Sequence, residues 1–110
     1  MTPAGNAPRA PRDFTDEPNS FGRARTLKWK HVETLEMGTL LLASRWQHEY
    51  ALRIRHRIHA TKSNLKTYAG EAGTSYDRLG KMLRGVIVMR LEDIAVADIV
   101  LGDISGKSRD

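Results

Sequence analysis

The stretch 64–85, NLKTYAGEAGTSYDRLGKMLRG, constrains this chain more than any other, because it has the grammar of two short helices joined by a tight turn. Asn64 can cap the first helix. Leu65, Tyr68, Ala69 and Ala72 recur at helical spacing and share one face. Gly73 follows where that face ends, at the place where a helix stops in a left-handed residue that glycine adopts without strain. Thr74 or Ser75 then caps a second helix, over 75–84, with Asp77 in its first turn against the positive end of the macrodipole. Leu79, Met82 and Leu83 supply its buried face, and Gly85 ends it.

Upstream, Leu42, Trp46, Tyr50, Ile54 and Ile58 recur every four residues, with Leu41 and Ala51 broadening the stripe. This reads as an amphipathic helix of about five turns, begun by Gly38 and Thr39 as break and cap. Its other face carries Arg45, Arg53, Arg55 and Arg57. Such a face is usually just solvated; the sharper reading places Arg53 and Arg57 on phosphates. Downstream, 91–101 reads as a last helix that is apolar nearly all round, hence buried on more than one side.

Residues 27–37 alternate like a strand at Leu27, Trp29 and His31 but suit a helix at Val32 and Leu35, and the helical surroundings favour the helix. Trp29 either packs on the domain or anchors a dimer contact. All four prolines lie in residues 1–26, which are expected to be a disordered basic arm. Its Arg9, Arg12, Arg23 and Arg25 either reach DNA or sit on a solvated tail. The expected organisation is therefore an arm at 1–26, an ambiguous segment at 27–42, a helical domain at 43–102 and a polar tail at 103–110. The fold class is all-α, a small bundle of four to five helices.

Charge is unevenly placed along this chain. The formal net charge is +5 and the pI is near 9.9, which favours an anionic partner, nucleic acid first. Residues 1–62 hold eleven Lys and Arg against six Asp and Glu, whereas 63–102 hold five of each. The two-helix unit is thus neutral and the basic excess lies upstream. With no cysteine there is no disulfide or thiolate chemistry, as suits a reducing cytoplasm. No apolar run approaches the ~20 residues of a membrane span. The four histidines, His31, His48, His56 and His59, invite a metal reading. His56 and His59 can share a helix face, but only His48 and Glu49 lie near in sequence, His48 stands more than two turns from His56 and no cysteine helps, so surface histidines are the better account. No nucleophile elbow, phosphate loop or acid–base carboxylate pair stands out. The expectation is a non-enzyme without metal or cofactor.

Ala69, Gly73, Ser75, Leu79, Leu83, Arg84 and Gly85 stand where the lambda-repressor/Cro-type (Xre-like) helix-turn-helix family keeps its alanine, turn glycine, cap serine, core aliphatics and closing glycine. Leu91, Glu92, Asp93 and Ile94, then Leu101 and Gly102, resemble that family's following helix. The resemblance spans roughly 43–102 and departs from the family at Tyr68, Ala97 and Asp98. It implies a cytoplasmic regulator of a bacterium, phage or plasmid, a repressor that reads double-stranded DNA in the major groove. Carried over, the base-contacting positions are Ser75, Tyr76, Asp77 and Lys81, with Arg78 near the same side. Phosphate contacts would come from Asn64, Lys66, Arg84 and Arg90. The ordinary alternatives are a dipole role for Asp77 and plain exposed surface for Tyr76 and Lys81. Segments 27–45 and 91–101 are those open to homodimer formation. Two other readings stand beside this one: an antitoxin with a toxin partner, and a protein-interaction module that does not read DNA.

Overall fold

The computed structural model describes residues 10–107. They form α1 (Leu35–Ala60), α2 (Leu65–Ala72), α3 (Tyr76–Leu83) and α4 (Leu91–Val100), preceded by two 3-10 turns at Pro11–Phe14 and Pro18–Ser20. The expected all-α bundle is what the chain adopts. Strand-like pairing among the described residues is limited to one isolated antiparallel bridge, Thr15 with Trp29. The helix favoured for 27–37 is therefore found only from Leu35 on, and 27–34 are extended because that stretch pairs with the chain before it.

Helix α1 is the spine, 26 residues long, or about 39 Å at 1.5 Å per residue. Thr34 caps it, its hydroxyl accepting the Met37 N–H at 3.1 Å. The break expected at Gly38 and Thr39 is absent. Gly38 N–H bonds Thr34 O at 2.8 Å, and the Thr39 hydroxyl donates back to Leu35 O at 2.8 Å instead of capping a new start. An interior glycine costs about 1 kcal/mol relative to alanine, which a helix packed along its later turns tolerates.

The four-residue stripe does not stay on one face either. Each step of four overshoots a full turn by about 40°, so Leu42 and Ile58 end up on nearly opposite sides. Ile54 and Ile58 are buried, whereas Leu42 is 46% and Trp46 52% exposed. The face that is buried carries Ser44, Gln47, His48, Ala51, Ile54 and Ile58, and is polar in its first half.

Helices α2 and α3 follow the local signals closely. Asn64 Oδ1 accepts the Thr67 N–H at 2.8 Å, and Ser75, not Thr74, caps α3 by accepting the Arg78 N–H at 3.0 Å. Gly73 has φ +72 and turns the chain between them. Tyr68 and Ala69 of α2 and Leu79, Met82 and Leu83 of α3 share one core with Ala51, Ile54 and Ile58 of α1 and Ala97 of α4. Leu91 and Ile99 lie outside it, 80% and 63% exposed, so α4 is only partly buried by its own chain.

Residues 10–26, expected to be disordered, are folded; residues 1–9, with Arg9, lie outside the described residues. Pro11 and Pro18 each begin a 3-10 turn, which suits the fixed φ of proline. Phe14 and Phe21 are 2% and 1% exposed. Gly85, at φ +73, leaves room for the Phe21 ring, because a Cβ there would sit 2.7 Å from it. Trp29 packs edge-on to Phe21 and His48, at centroid distances of 6.3 and 5.7 Å. Composition argued for disorder because it averages over a segment whose two phenylalanines both reach the core. We call residues 10–30 the strap.

At the other end, residues 103–107 are not a free polar tail. Ile104 is completely buried, and Asp98 Oδ1 accepts the Ile104 and Ser105 N–H groups at 2.9 and 2.8 Å. Residues 108–110 lie outside the described residues.

Candidate functional site

Helix α3 has two faces of opposite character. Leu79, Met82 and Leu83 are buried, while Tyr76, Asp77 and Arg84 are exposed and Lys81 partly so. Tyr76 shows 59% of its surface. Lys81 Nζ sits 2.9 Å from Asp77 Oδ2 one turn back, a surface pair that exchanges readily for another partner. Arg84 folds back along the helix, so that a Cβ on Gly80 would lie 2.9 Å from its Nη1. The Ser75 hydroxyl is engaged as the cap. Asn64 and Lys66 are exposed at the start of α2, where the Asn64 carbonyl oxygen is already occupied by its own cap bond.

Arg78 departs from the role expected for it. Its Nη1 and Nη2 donate to Asp93 Oδ1 and Oδ2, both at 2.8 Å, in a bidentate pair that ties α3 to α4. The Asp93 side chain is 8% and Arg78 28% exposed. Arg90 joins the same carboxylate, with its N–H 2.8 Å and its Nε 3.6 Å from Oδ2. Burial pushes the Asp93 carboxyl up, but the Arg78 and Arg90 bonds prevail and hold it below its ordinary value. The Asp93 bond raises Arg78 further. Arg78 is therefore a structural tie and not a free reader of bases. An acid three residues into a helix is a cap signal, and it is the one feature of the sequence that could have marked Asp93.

Arg53 and Arg57 also serve the fold. Arg53 Nη1 donates to Ile104 O at 2.7 Å, and Arg57 Nε and Nη2 donate to Leu101 O at 3.1 and 2.9 Å. These bonds hold down the chain after α4.

Two consecutive polar residues of α1, Gln47, which no sequence pattern singles out, and His48, weighed in the sequence only as a metal ligand, position the surroundings of α3. Gln47 Nε2 donates to Met82 O and Ile87 O at 3.0 and 2.8 Å, and its Oε1 accepts the Met89 N–H at 2.8 Å. The loop leaving α3 is thereby clamped to α1. His48 Nδ1 accepts the Gly22 N–H at 2.8 Å and holds the strap. Burial keeps the His48 ring below its ordinary value of 6.5, that is, neutral. Tyr68 is buried in the core, and burial pushes its hydroxyl up to about 12.

Arg55, expected with Arg45, Arg53 and Arg57 on a solvated or phosphate-facing side of α1, is half-buried, and its Nε is buried without a hydrogen-bond partner. No three His, Cys, Asp or Glu side chains come together as a metal site among the described residues, and no helix there is long and apolar enough to cross a membrane. A second surface feature is an apolar groove of about 450 Å³ between α1 and α4, lined by Leu40, Tyr50, Val88, Met89, Leu91 and Ile94. No family model matches this chain, and neither a curated protein nor a solved structure is detectably similar to it.

Proposed function

We propose that this protein binds double-stranded DNA in a sequence-dependent way and acts as a transcriptional regulator, laying α3 in the major groove. The observation that carries the reading is the polarity of α3, buried on Leu79, Met82 and Leu83 and exposed on Tyr76, Asp77, Lys81 and Arg84. A helix held by one face and presented by the other, after a tight turn from a preceding helix, suits the groove. Lys81 can release Asp77 and donate to guanine O6 and N7, which leaves Asp77 to accept from cytosine N4. Tyr76 offers a hydroxyl and a ring edge. Net charge +5 supplies the attraction to phosphate. Repression follows if a bound site overlaps a promoter.

The test is affinity on a randomised duplex pool and on its selected winners, for wild type and Lys81→Ala. Selected sites should emerge, and Lys81→Ala should lose about 1–3 kcal/mol of preference for them. Weak binding, equal on all sequences and unmoved by Lys81→Ala, would remove the reading.

One observation favours a second reading, a protein-interaction module. Leu91, Val88 and Leu40 are 80%, 63% and 45% exposed around the groove between α1 and α4, and contiguous apolar surface of this kind marks contact sites. Leu91→Lys should leave DNA preference intact under the first reading and abolish the activity under the second.

A further inference from the structure

Gly22 of the strap is seated where α1 and the end of α3 meet. Its φ is +70, and a Cβ there would lie 2.0 Å from Leu83 O and 3.1 Å from the Ala51 Cβ. Each of the three contacting elements places an arginine beside this junction. Arg23 follows Gly22 in the strap, Arg84 follows Leu83 at the end of α3, and Arg55 stands one turn after Ala51 on α1. None of the three guanidinium groups pairs with a carboxylate among the described residues, in contrast to Arg78 and Arg90.

The geometry points to a phosphate clamp built by Arg23, Arg55 and Arg84 at the C-terminal end of the exposed face of α3, taking a backbone phosphodiester of the DNA that α3 reads. The clamp rests on the DNA reading for its ligand, but the chemistry it recognises is a phosphate oxyanion from any source.

Three features carry it. Arg55 Nε is a buried donor with no acceptor, which is costly to leave unmet, and the Nη end of the same half-buried guanidinium, which has no hydrogen-bond partner among the described residues, is the part a phosphate oxygen can reach. Like charges crowd it as well: burial first, then Arg23, then Arg84 hold the Arg55 guanidinium below its ordinary value. An anion between them reverses that repulsion. Finally, Arg84 leans back along α3 over Gly80, one residue from Lys81 in the chain, so the clamp adjoins the reading face. A favourable placement of Arg84 at the negative end of the α3 dipole accounts for one arginine of the three and leaves Arg55 unexplained.

The clamp gives the strap a purpose. His48 holds Gly22 at 2.8 Å, and Gly22 sets Arg23. The strap is thus a positioning element for a phosphate contact, and Phe21 against Gly85 locks it to the end of α3.

The experiment uses the full chain and its Arg23→Gln, Arg55→Gln and Arg84→Gln variants, with Arg45→Gln as a control from an exposed α1 position outside the junction. A random-sequence duplex is titrated across a salt series, and inorganic phosphate is titrated separately while the Arg Nε–H resonances are followed. Each clamp variant should lose about 5- to 10-fold in duplex affinity at 0.1 M salt and reduce the salt slope by about 0.9, sequence preference unchanged. Arg45→Gln should do less. Phosphate should saturate the Arg55 signal in wild type and not in Arg23→Gln. Each variant's melting temperature verifies folding, and Arg55→Gln should melt no lower than wild type.

The clamp is overturned if wild type binds duplex and all three variants keep its slope; the DNA reading then survives without it. Should wild type ignore duplex while phosphate saturates Arg55 only when Arg23 is present, the clamp stands for a free phosphate-bearing ligand and the DNA reading falls. With neither ligand bound, both are overturned.

Discussion

Five arginines near α3 divide into two groups with opposite fates. Arg78 and Arg90 converge on one carboxylate, Asp93, which is 8% exposed and bonded from three sides. Arg23, Arg55 and Arg84 converge on no carboxylate, and one of them keeps a buried donor unmet. The first group is a finished interaction that fixes α3 to α4. The second is a concentration of like charge that lowers stability unless an anion completes it. Chemically the residues are identical, and the difference lies in whether the fold brings an acid to them. An unpaired cluster beside a presented helix is the better place to look for function, because its mutual repulsion is not offset by any acid of the fold.

The contrast can be broken most strongly at Asp93. Asp93→Ala should cost about 2–3 kcal/mol in urea unfolding, somewhat below the value for a fully buried pair because Arg78 keeps 28% exposure. It should also steepen the salt dependence of duplex binding, since it sets free a cation that now serves the fold. If stability falls and the salt slope does not change, the freed Arg78 does not face phosphate. The Asp93 contribution has a pH signature. The folded carboxyl lies below the ordinary 3.8, so its stabilisation is present above that pH and lost as pH falls below it.

Next in size is Gln47→Leu, which removes three bonds to the loop leaving α3. A loss of about 2 kcal/mol is expected from the stranded carbonyls and N–H, measured by the same unfolding curve. Hydrogen exchange at Met89 should rise by more than the global change.

His48→Leu follows, at about 1–2 kcal/mol, because the Gly22 N–H is left buried and unbonded. Trp29, which packs on His48, reports strap release by fluorescence. His48 also gives wild type a pH slope of known sign. Its folded value lies below 6.5, so above 6.5 both states are neutral there and stability is full. As pH falls below 6.5 the unfolded chain takes up a proton that the folded chain refuses, and stability declines until the folded value is reached. In His48→Leu this segment of the pH profile should be flat. Duplex affinity should fall with it if Arg23 depends on the strap.

The smallest expected effect sharpens the comparison most. Arg55→Gln should raise stability by ~0.5 kcal/mol in the absence of anion, since it removes a half-buried cation with no partner. A destabilisation of 1 kcal/mol or more would mean that Arg55 is held by the fold after all, and that the two groups of arginines do not differ as argued.

Legibility in the sequence tracked the distance over which each interaction acts. The caps at Asn64 and Ser75, the left-handed Gly73 and the buried face of α3 were all readable, since each depends on residues within four positions. The bonds from Gln47 to Ile87 and from His48 to Gly22 were not, because they span 40 and 26 residues. Arg78 shows the same limit from the other side. Its position on α3 is what a base reader would have, and only the arrival of Asp93 fifteen residues later withdraws it. The structural bonds of Arg53 and Arg57 are hidden in the sequence for a like reason, since the carbonyls they satisfy lie beyond α4. On α1, the four-residue stripe was a correct observation carried too far along a 3.6-residue helix, which is why it held at Ile54 and Ile58 and failed at Leu42 and Trp46.

What this sequence determined by itself was its local syntax: an all-helical chain, a helix–turn–helix unit with defined ends, and an uneven placement of positive charge. Backbone hydrogen bonds and caps close over a few residues, so their signals lie next to one another in the chain. The tertiary structure alone decided which polar groups would be consumed. It drew a proline-rich strap into the core through Phe14 and Phe21, took Arg78 for the fold and left Arg23, Arg55 and Arg84 together without an acid. Burial sets the cost of an unmet donor or charge, and burial is a property of the packed chain, which no single stretch of sequence contains.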